Sequence, residues 1–493
     1  MGGGRGPIRG VLQPAEVMSH DPLAALNAQV RRDLERVAHP RMPWLAPRAG
    51  PDGKPALDVL IAGAGQSGLA IAFALMRAQV TNILAIDKAP YGREGPWLSY
   101  ARMHTLRSPK DYTGPDLDIP SLTYRAWHEA RFGEADWQAL PSIGTERWAE
   151  YLLWVRERTG VPARNGVEAL DIAPAADDLL AVTVAEGGRH HTLCARKVVL
   201  ATGQEGAGRW WMPDFVAALP AHLRAHAADA IDFPALRGKT VAVLGAGASA
   251  FDNAAVALEH GAAAVHLFCR RVEPQTIQPY RWLTFAGFLR HFSELDDAWR
   301  WRFMRTILGL REGFPQETYD RCARHENFVL HTGAPWLGAE AVDDQAEIRT
   351  PAGRFRANFL ICGTGIAVDF AVRPELARFA GNIATWGDRF VPSPGEEDER
   401  VARYPYLAPD YAFVEKEPGR TPWVRDIHLF AIGSTVSFGP SGASINAMTT
   451  AIPKLVSAIT RGLFVADVER HWASLQAYDV PQAVIRPPPA AGS

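Results

Sequence analysis

Cysteine is scarce in this 493-residue chain: Cys194, Cys269, Cys322 and Cys362 lie far apart, and no two form a Cys-x-x-Cys pair. That argues against a zinc ribbon and a dithiol redox centre and suits a reducing cytoplasm, with buried apolar thiols the plainest reading. An excess of one charge is also missing. With 52 basic and 54 acidic residues, no global field recruits nucleic acid or an anionic membrane. No run reaches the roughly 18 apolar residues of a membrane span. The opening Met1-Gly2-Gly3-Gly4-Arg5-Gly6 lacks a signal-peptide core and the hydroxyl residue of a myristoylation site. The expectation is a soluble cytoplasmic protein with no metal centre and with two or three well-buried domains.

What is present is led by a glycine pattern. Residues 59–62 (Val-Leu-Ile-Ala) read as a buried strand, Gly63-x-Gly65-Gln66-Ser67-Gly68 as a tight turn, and residues 69–76 as a helix. In such a turn the first glycine permits the bend, the second lets a pyrophosphate approach, and the third lets helix and strand pack closely. The helix start then offers free N–H groups to an anion. At the end of a second apolar run (83–86) stands Asp87, followed by Lys88, at the distance where an acid hydrogen-bonds a ribose hydroxyl.

The theme returns. Residues 239–244 read as another apolar strand, and Gly245-Ala246-Gly247-Ala248-Ser249-Ala250 is a second fingerprint, with Ala in the third glycine place. Its following strand (265–268) ends near Arg270-Arg271 where the first unit has Asp87. A guanidinium matches phosphate bidentately, so arginine there favours a ribose 2′-phosphate, with a pair of solvated arginines as the plainer reading. Two strands end alike, in Ala201-Thr202-Gly203 and Gly363-Thr364-Gly365, which suggests that the chain leaves its first domain and returns to it.

The resulting division has an N-terminal extension (1–56) with one amphipathic helix near 21–37, and the first part of one dinucleotide-binding domain (57–205). A second dinucleotide-binding domain follows (206–364), with a helical insertion at 280–330. The second part of the first domain (365–465) carries a last strand at 428–433 and a helix at 445–460, and a tail (466–493) closes the chain. The expected fold is α/β: two Rossmann-like three-layer dinucleotide-binding domains, the second inserted into the first.

Two fingerprints joined by paired Thr-Gly crossovers resemble the two-dinucleotide flavoproteins. Within them the chain resembles the flavin-containing monooxygenases, the class B flavoprotein monooxygenases, over roughly residues 57–460. Gly95-Pro96-Trp97 stands where that family has a Gly-Gly-x-Trp type sequence. Arg107-Ser108-Pro109-Lys110 stands where it has Asn-x-Pro-Lys, and His226 where it has a signature histidine. The departures are Pro220 and His222 for the signature Phe and Gly, and Arg107 for Asn. They put amine and sulfide substrates in doubt and leave the cofactors intact. The stretches 92–97 and 105–110 are also similar to bacterial FAD-dependent urate hydroxylases of this architecture.

The resemblance implies FAD and NADPH, with NADH as an alternative donor. It also implies molecular oxygen, a small-molecule substrate such as urate or another small nitrogenous compound, and oxygen insertion through a C4a-(hydro)peroxyflavin. The flavin supplies that chemistry, so no catalytic triad is needed. The cofactor-binding set is Gly63, Gly65, Gln66, Ser67, Gly68, Asp87, Lys88, Trp97, Ser108, Gly203, Gly245, Gly247, Ser249, Arg270, Arg271, Gly365 and Gly433. Arg107 is the catalytic candidate, as a cation for an anionic substrate or developing peroxide charge, with an ordinary salt bridge as the equal alternative. Lys110 reads as structural or cofactor-side, His226 as a packing histidine, and Asp252 as the group satisfying a helix start. A flavin or quinone reductase without oxygen insertion and a non-catalytic nucleotide-binding sensor remain open, and a homodimer is compatible with the sequence.

Overall fold

In the computed structural model the described residues are 21–37, 39–112, 114–440, 442 and 444–486. The first twenty residues of the extension and parts of the 439–444 turn therefore lie outside them. Two sheets organise the chain. In the first, parallel strands lie in the order Ala163–Asn165, Ile83–Asp87, Pro55–Ala62 and Arg189–Leu200, with Ile427–Leu429 pairing the last of these. The strand Arg189–Leu200 has two roles along its length. Its start pairs antiparallel with Leu180–Glu186, which pairs with Val167–Pro174, and its end lies inside the parallel layer. These three strands form an antiparallel meander. The helices Gln66–Arg77 and Met448–Ala466 pack together over the parallel part, because both carry continuous buried apolar faces.

The second sheet is wholly parallel, in the order Phe328–His331, Ala264–Phe268, Thr240–Leu244, Phe359–Cys362 and Arg224–His226. One face is covered by the helices Ala248–Glu259 and Gln316–Ala323, the other by the antiparallel strands Gly338–Val342, Gln345–Thr350 and Gly353–Ala357. Both faces are thereby dry, as a parallel sheet requires. The protein is α/β, with two Rossmann-like sheets and the second inserted into the first. The crossovers pair with one another: Gly208–Trp210 runs antiparallel to Ile366–Val368, a two-stranded ribbon between the sheets.

The insertion packs differently from its place in the sequence. The helices Ala286–His291 and Asp297–Leu310 bury Phe288, Trp301, Met304 and Ile307 against Trp386, Val401 and Val436, all from beyond residue 365. Only the helix Gln316–Ala323 packs on the second sheet. The anticipated N-terminal helix is present as Pro22–Arg36, with the Asp21 carboxylate accepting from Leu23 N–H as its cap. Cys269, Cys322 and Cys362 are buried and Cys194 is half-buried, all as free thiols. Burial pushes Cys322 and Cys362 up to about 12. Among the described residues no helix is long and apolar enough to cross a membrane.

Candidate active site

The first glycine turn is held by backbone against backbone. Gly63 has φ +104°, and a Cβ there would lie 2.3 Å from the Ala201 carbonyl oxygen; one on Gly68 would lie 1.8 Å from the Gly63 carbonyl oxygen. The helix Gln66–Arg77 starts without a side-chain cap, which leaves its first N–H groups to a ligand. A Cβ on Gly65 would stand 3.8 Å from Gly95, so the two backbones form a narrow groove. Beside it, the indole N–H of Trp97 is buried and has no acceptor among the described residues. Trp97 meets Trp148 edge-on at 6.3 Å, and Trp148 Nε1 donates to Gln66 Oε1 at 3.4 Å. An uncapped helix start, a side-chain-free groove and an orphaned indole N–H together fit a bound dinucleotide.

The other first-unit candidates are more scattered. Asp87 accepts from Ala64 N–H and from Ala89 N–H, each at 2.8 Å. Burial raises its carboxyl above the ordinary value, opposed by these two amides. Lys88 pairs with Glu205 at 3.3 Å. Ser67 is buried in the helix start, and Ser108 is half-buried with no side-chain hydrogen bond among the described residues. Gly203 opens a short 3-10 turn, Gly203–Glu205. Gly365 accepts from Trp211 N–H at 2.9 Å in the ribbon. Gly433 is buried, and a Cβ on it would meet Ala207 at 2.6 Å and Leu429 at 2.8 Å. Its lack of a side chain is thus used in protein packing.

The second turn repeats the first with one exchange. Gly245 has φ +110°, with the Gly363 carbonyl oxygen 2.5 Å from its Cβ position. Ala250, in the third glycine place, fits because the facing residue is Gly363, whose own Cβ position is 2.6 Å from the Ala250 methyl. The corresponding crossover residue in the first unit is Ala201, and there the third place is Gly68. Gly247 has open space at its Cβ position, and Ser249 is exposed at another uncapped helix start, Ala248–Glu259.

Of the two arginines after the second unit's strand, Arg271 is partly committed. Its Nη2 donates to the Gly309 carbonyl at 2.9 Å, at the end of the helix Asp297–Leu310. Arg270 is exposed, and among the described residues it has no carboxylate partner. A third guanidinium joins them. Arg311 follows that helix with φ +63°, and burial together with the neighbouring charges of Arg270, Arg400 and Arg271 holds it below the ordinary arginine value. Repulsion of this kind marks a site suited to an anion. Nothing local in the sequence pointed to Arg311, since the insertion brings it there from outside the βαβ unit.

Arg107 sits between two carboxylates. Its Nη2 donates to Asp252 Oδ2 at 2.7 Å, and Nη1 lies 3.6 Å from Glu312. The guanidinium is therefore already paired, and the salt-bridge alternative describes it. Asp252 is not a helix cap: it lies past the first turn of Ala248–Glu259, is 2% exposed, and also accepts from Thr318 Oγ1 at 3.2 Å. Burial raises its carboxyl above the usual value, countered by Arg107 and Arg321. Lys110 is structural, donating to the Trp137 carbonyl at 2.8 Å over the Trp137 ring. His226 packs flat against Trp210 at 5.1 Å, and burial lowers its imidazole below the ordinary value.

Comparison with known proteins gives this geometry its family. A sequence family described as FAD-NAD(P)-binding matches residues 60–205, and one described as L-lysine 6-monooxygenase/L-ornithine 5-monooxygenase matches 140–281. The chain is 41% identical over 459 residues to an FAD-dependent urate hydroxylase of Xanthomonas campestris pv. campestris, covering 93% of this chain and 96% of that protein. The chain belongs to that hydroxylase's family, among the class B flavoprotein monooxygenases. It is a flavin-dependent NAD(P)H monooxygenase with FAD and NADPH as cofactors, acting on a small molecule and oxygen. Solved structures share the fold of this monooxygenase. The ornithine N-hydroxylase of Kutzneria sp. 744 has TM-score 0.63 at 17% identity, covering 83% of this chain and 100% of that one. The cadaverine monooxygenase of Erwinia amylovora has TM-score 0.62 at 14% identity, covering 89% and 99%. A bacillithiol disulfide reductase of Bacillus cereus also matches, at TM-score 0.54, so the fold by itself does not select the reaction.

Proposed function

We propose that this monooxygenase hydroxylates urate or a closely similar planar nitrogenous ring. FAD lies on the Gly63–Gly68 turn of a lobe built from residues 57–205 and 365–465. NADPH lies on the Gly245–Ala250 turn of a lobe built from 206–364, and Arg270 and Arg311 receive its 2′-phosphate. The observation that carries the reading is a continuous connection between the turns: Gly65 abuts Gly95, and the same loop reaches Arg107, bonded to the helix that starts at the second turn. Urate is favoured over an amine by the 41% identity across both lobes.

When bound, the flavin accepts two electrons from NADPH and activates oxygen, one atom entering the substrate and the other leaving as water. The chain's own task is to bind, orient and keep the site dry. The groove at Gly65 and Gly95 and the Trp97 N–H hold the cofactor end. Asp87 fixes the turn through Ala64 N–H and keeps a second lone pair on each oxygen for a ribose hydroxyl. The aromatic packing of Trp97, Trp148 and Tyr151 behind the turn excludes water.

The test is turnover with NADPH and urate under isotopically labelled oxygen, with ornithine and lysine as comparison substrates. One labelled atom in a urate-derived product is expected, with substrate and NADPH consumed in equal amounts. NADPH oxidation that yields only hydrogen peroxide with every substrate would return the protein to the reductase reading. For the nucleotide site, Arg270→Ala removes a charged contact worth about 1.5–3 kcal/mol. The Michaelis constant for NADPH should rise about ten- to a hundredfold. That for NADH should change little, and equal rises for both nucleotides would remove Arg270 from phosphate recognition.

A further inference from the structure

Residues 102–107 are fastened on both sides. Toward the first sheet, Leu106 N–H donates to the Ile143 carbonyl at 2.8 Å, Thr145 N–H to the His104 carbonyl at 3.0 Å, and Thr145 Oγ1 to the Met103 carbonyl at 2.9 Å. Toward the second sheet, Arg102 Nη2 donates to the Asp229 carbonyl at 3.0 Å, Thr105 Oγ1 to Glu317 Oε2 at 3.1 Å, and Arg107 to Asp252. The last contact differs from the other two by being charged on both sides, with its carboxylate buried. Asp252 also meets Arg321, which donates to the Arg102 carbonyl at 3.2 Å and forks onto both Glu259 oxygens at 2.9 Å. Asp252 is thus the buried hub that ties the flavin-side loop to the helix rising from the nicotinamide-side turn.

We propose that Asp252 is a positioning residue for hydride transfer, holding Arg107 so that the two cofactor lobes keep the separation the transfer needs. Hydride transfer demands reacting atoms about 3–3.5 Å apart, and a misplacement of about 1 Å lowers rates about a hundredfold. The Arg107–Asp252 ion pair, lying between the lobes, acts on that distance without touching either nucleotide. The inference concerns the reductive half of the reaction and does not depend on which substrate is oxygenated.

Asp252→Asn tests it, since the amide keeps the shape and the Thr318 contact and removes the charge. In anaerobic mixing with NADPH, the rate of flavin reduction should fall about 10–100-fold. FAD content and the dissociation constant for NADPH should stay within about twofold of the parent. Hydrogen exchange at the amides of 102–107, measured without NADPH, should quicken. Arg107→Lys, which keeps the charge but not the fork, should retain a larger share of the rate than Arg107→Met. Flavin reduction at the parental rate in Asp252→Asn would overturn the proposal. So would a loss that merely tracks lost FAD, or equal rates in the Lys and Met variants.

Discussion

Gly68→Ala is expected to yield a colourless protein that retains no FAD. The added methyl would stand 1.8 Å from the Gly63 carbonyl oxygen, and the obstructing atom is backbone, which cannot turn aside as a side chain could. Relief requires the helix Gln66–Arg77 to move off the strand Pro55–Ala62, and with it the uncapped helix start. Overpacking of a core costs about 1–3 kcal/mol and occasionally more, and a clash with backbone belongs at the upper end. The second unit provides an internal control. Ala250 occupies the matching place, so Ala250→Gly should be mild, whereas Gly363→Ala would drive a methyl to 2.6 Å from Ala250 and should weaken NADPH binding while sparing FAD. Flavin absorbance after gel filtration and nucleotide titration read these outcomes. A yellow Gly68→Ala protein with parental FAD content would show that the close packing is not needed.

Arg196→Met should be the most destabilising change far from the cofactors. Arg196 is 5% exposed at the centre of a charge cluster, forking onto both Asp467 oxygens at 2.8 and 3.1 Å, with Asp58 at 3.5 Å. Asp467 joins the helices Met448–Ala466 and Val468–Gln476 and also receives Arg48 at 2.8 Å and Arg470 at 3.4 Å. Removing one partner of a buried pair strands the other charge, at about 3–5 kcal/mol. Asp58 then loses its main counter-charge, and burial already holds it above its usual value. Denaturant unfolding should show that loss, and a change below about 1 kcal/mol would mean the cluster adds little. The pH sense follows from Asp467. Burial raises its carboxyl, but Arg196 and Arg48 outweigh burial and leave it below the ordinary value. Its contribution is therefore complete above the unfolded value of about 3.9 and disappears as pH falls through the lower folded one.

Much of this protein lay open in local pattern. The glycine fingerprints, the strand-to-helix alternation and the paired Thr-Gly crossovers are short-range features: the positive φ at Gly63 and Gly245 and the closeness of Gly68 to the Gly63 carbonyl are set within a few residues. The extension's helix was readable too, from one apolar face. Side-chain roles were harder. Asp252 looked like a helix-start residue because aspartate commonly is one, yet its partner Arg107 comes from far along the chain. Arg271 looked equivalent to Arg270 until the end of the helix Asp297–Leu310 took one of them.

The sequence by itself determined the two nucleotide folds, their order and the family, since these rest on steric rules that act within a few residues. Only the tertiary structure decided which distant groups meet: Arg107 paired with Asp252, Arg311 gathered beside Arg270, and the insertion's aromatic helices packed on the segment beyond residue 365. The reason is physical. A buried charge must find its counter-charge in space, and distance along the chain carries no information about which one that will be.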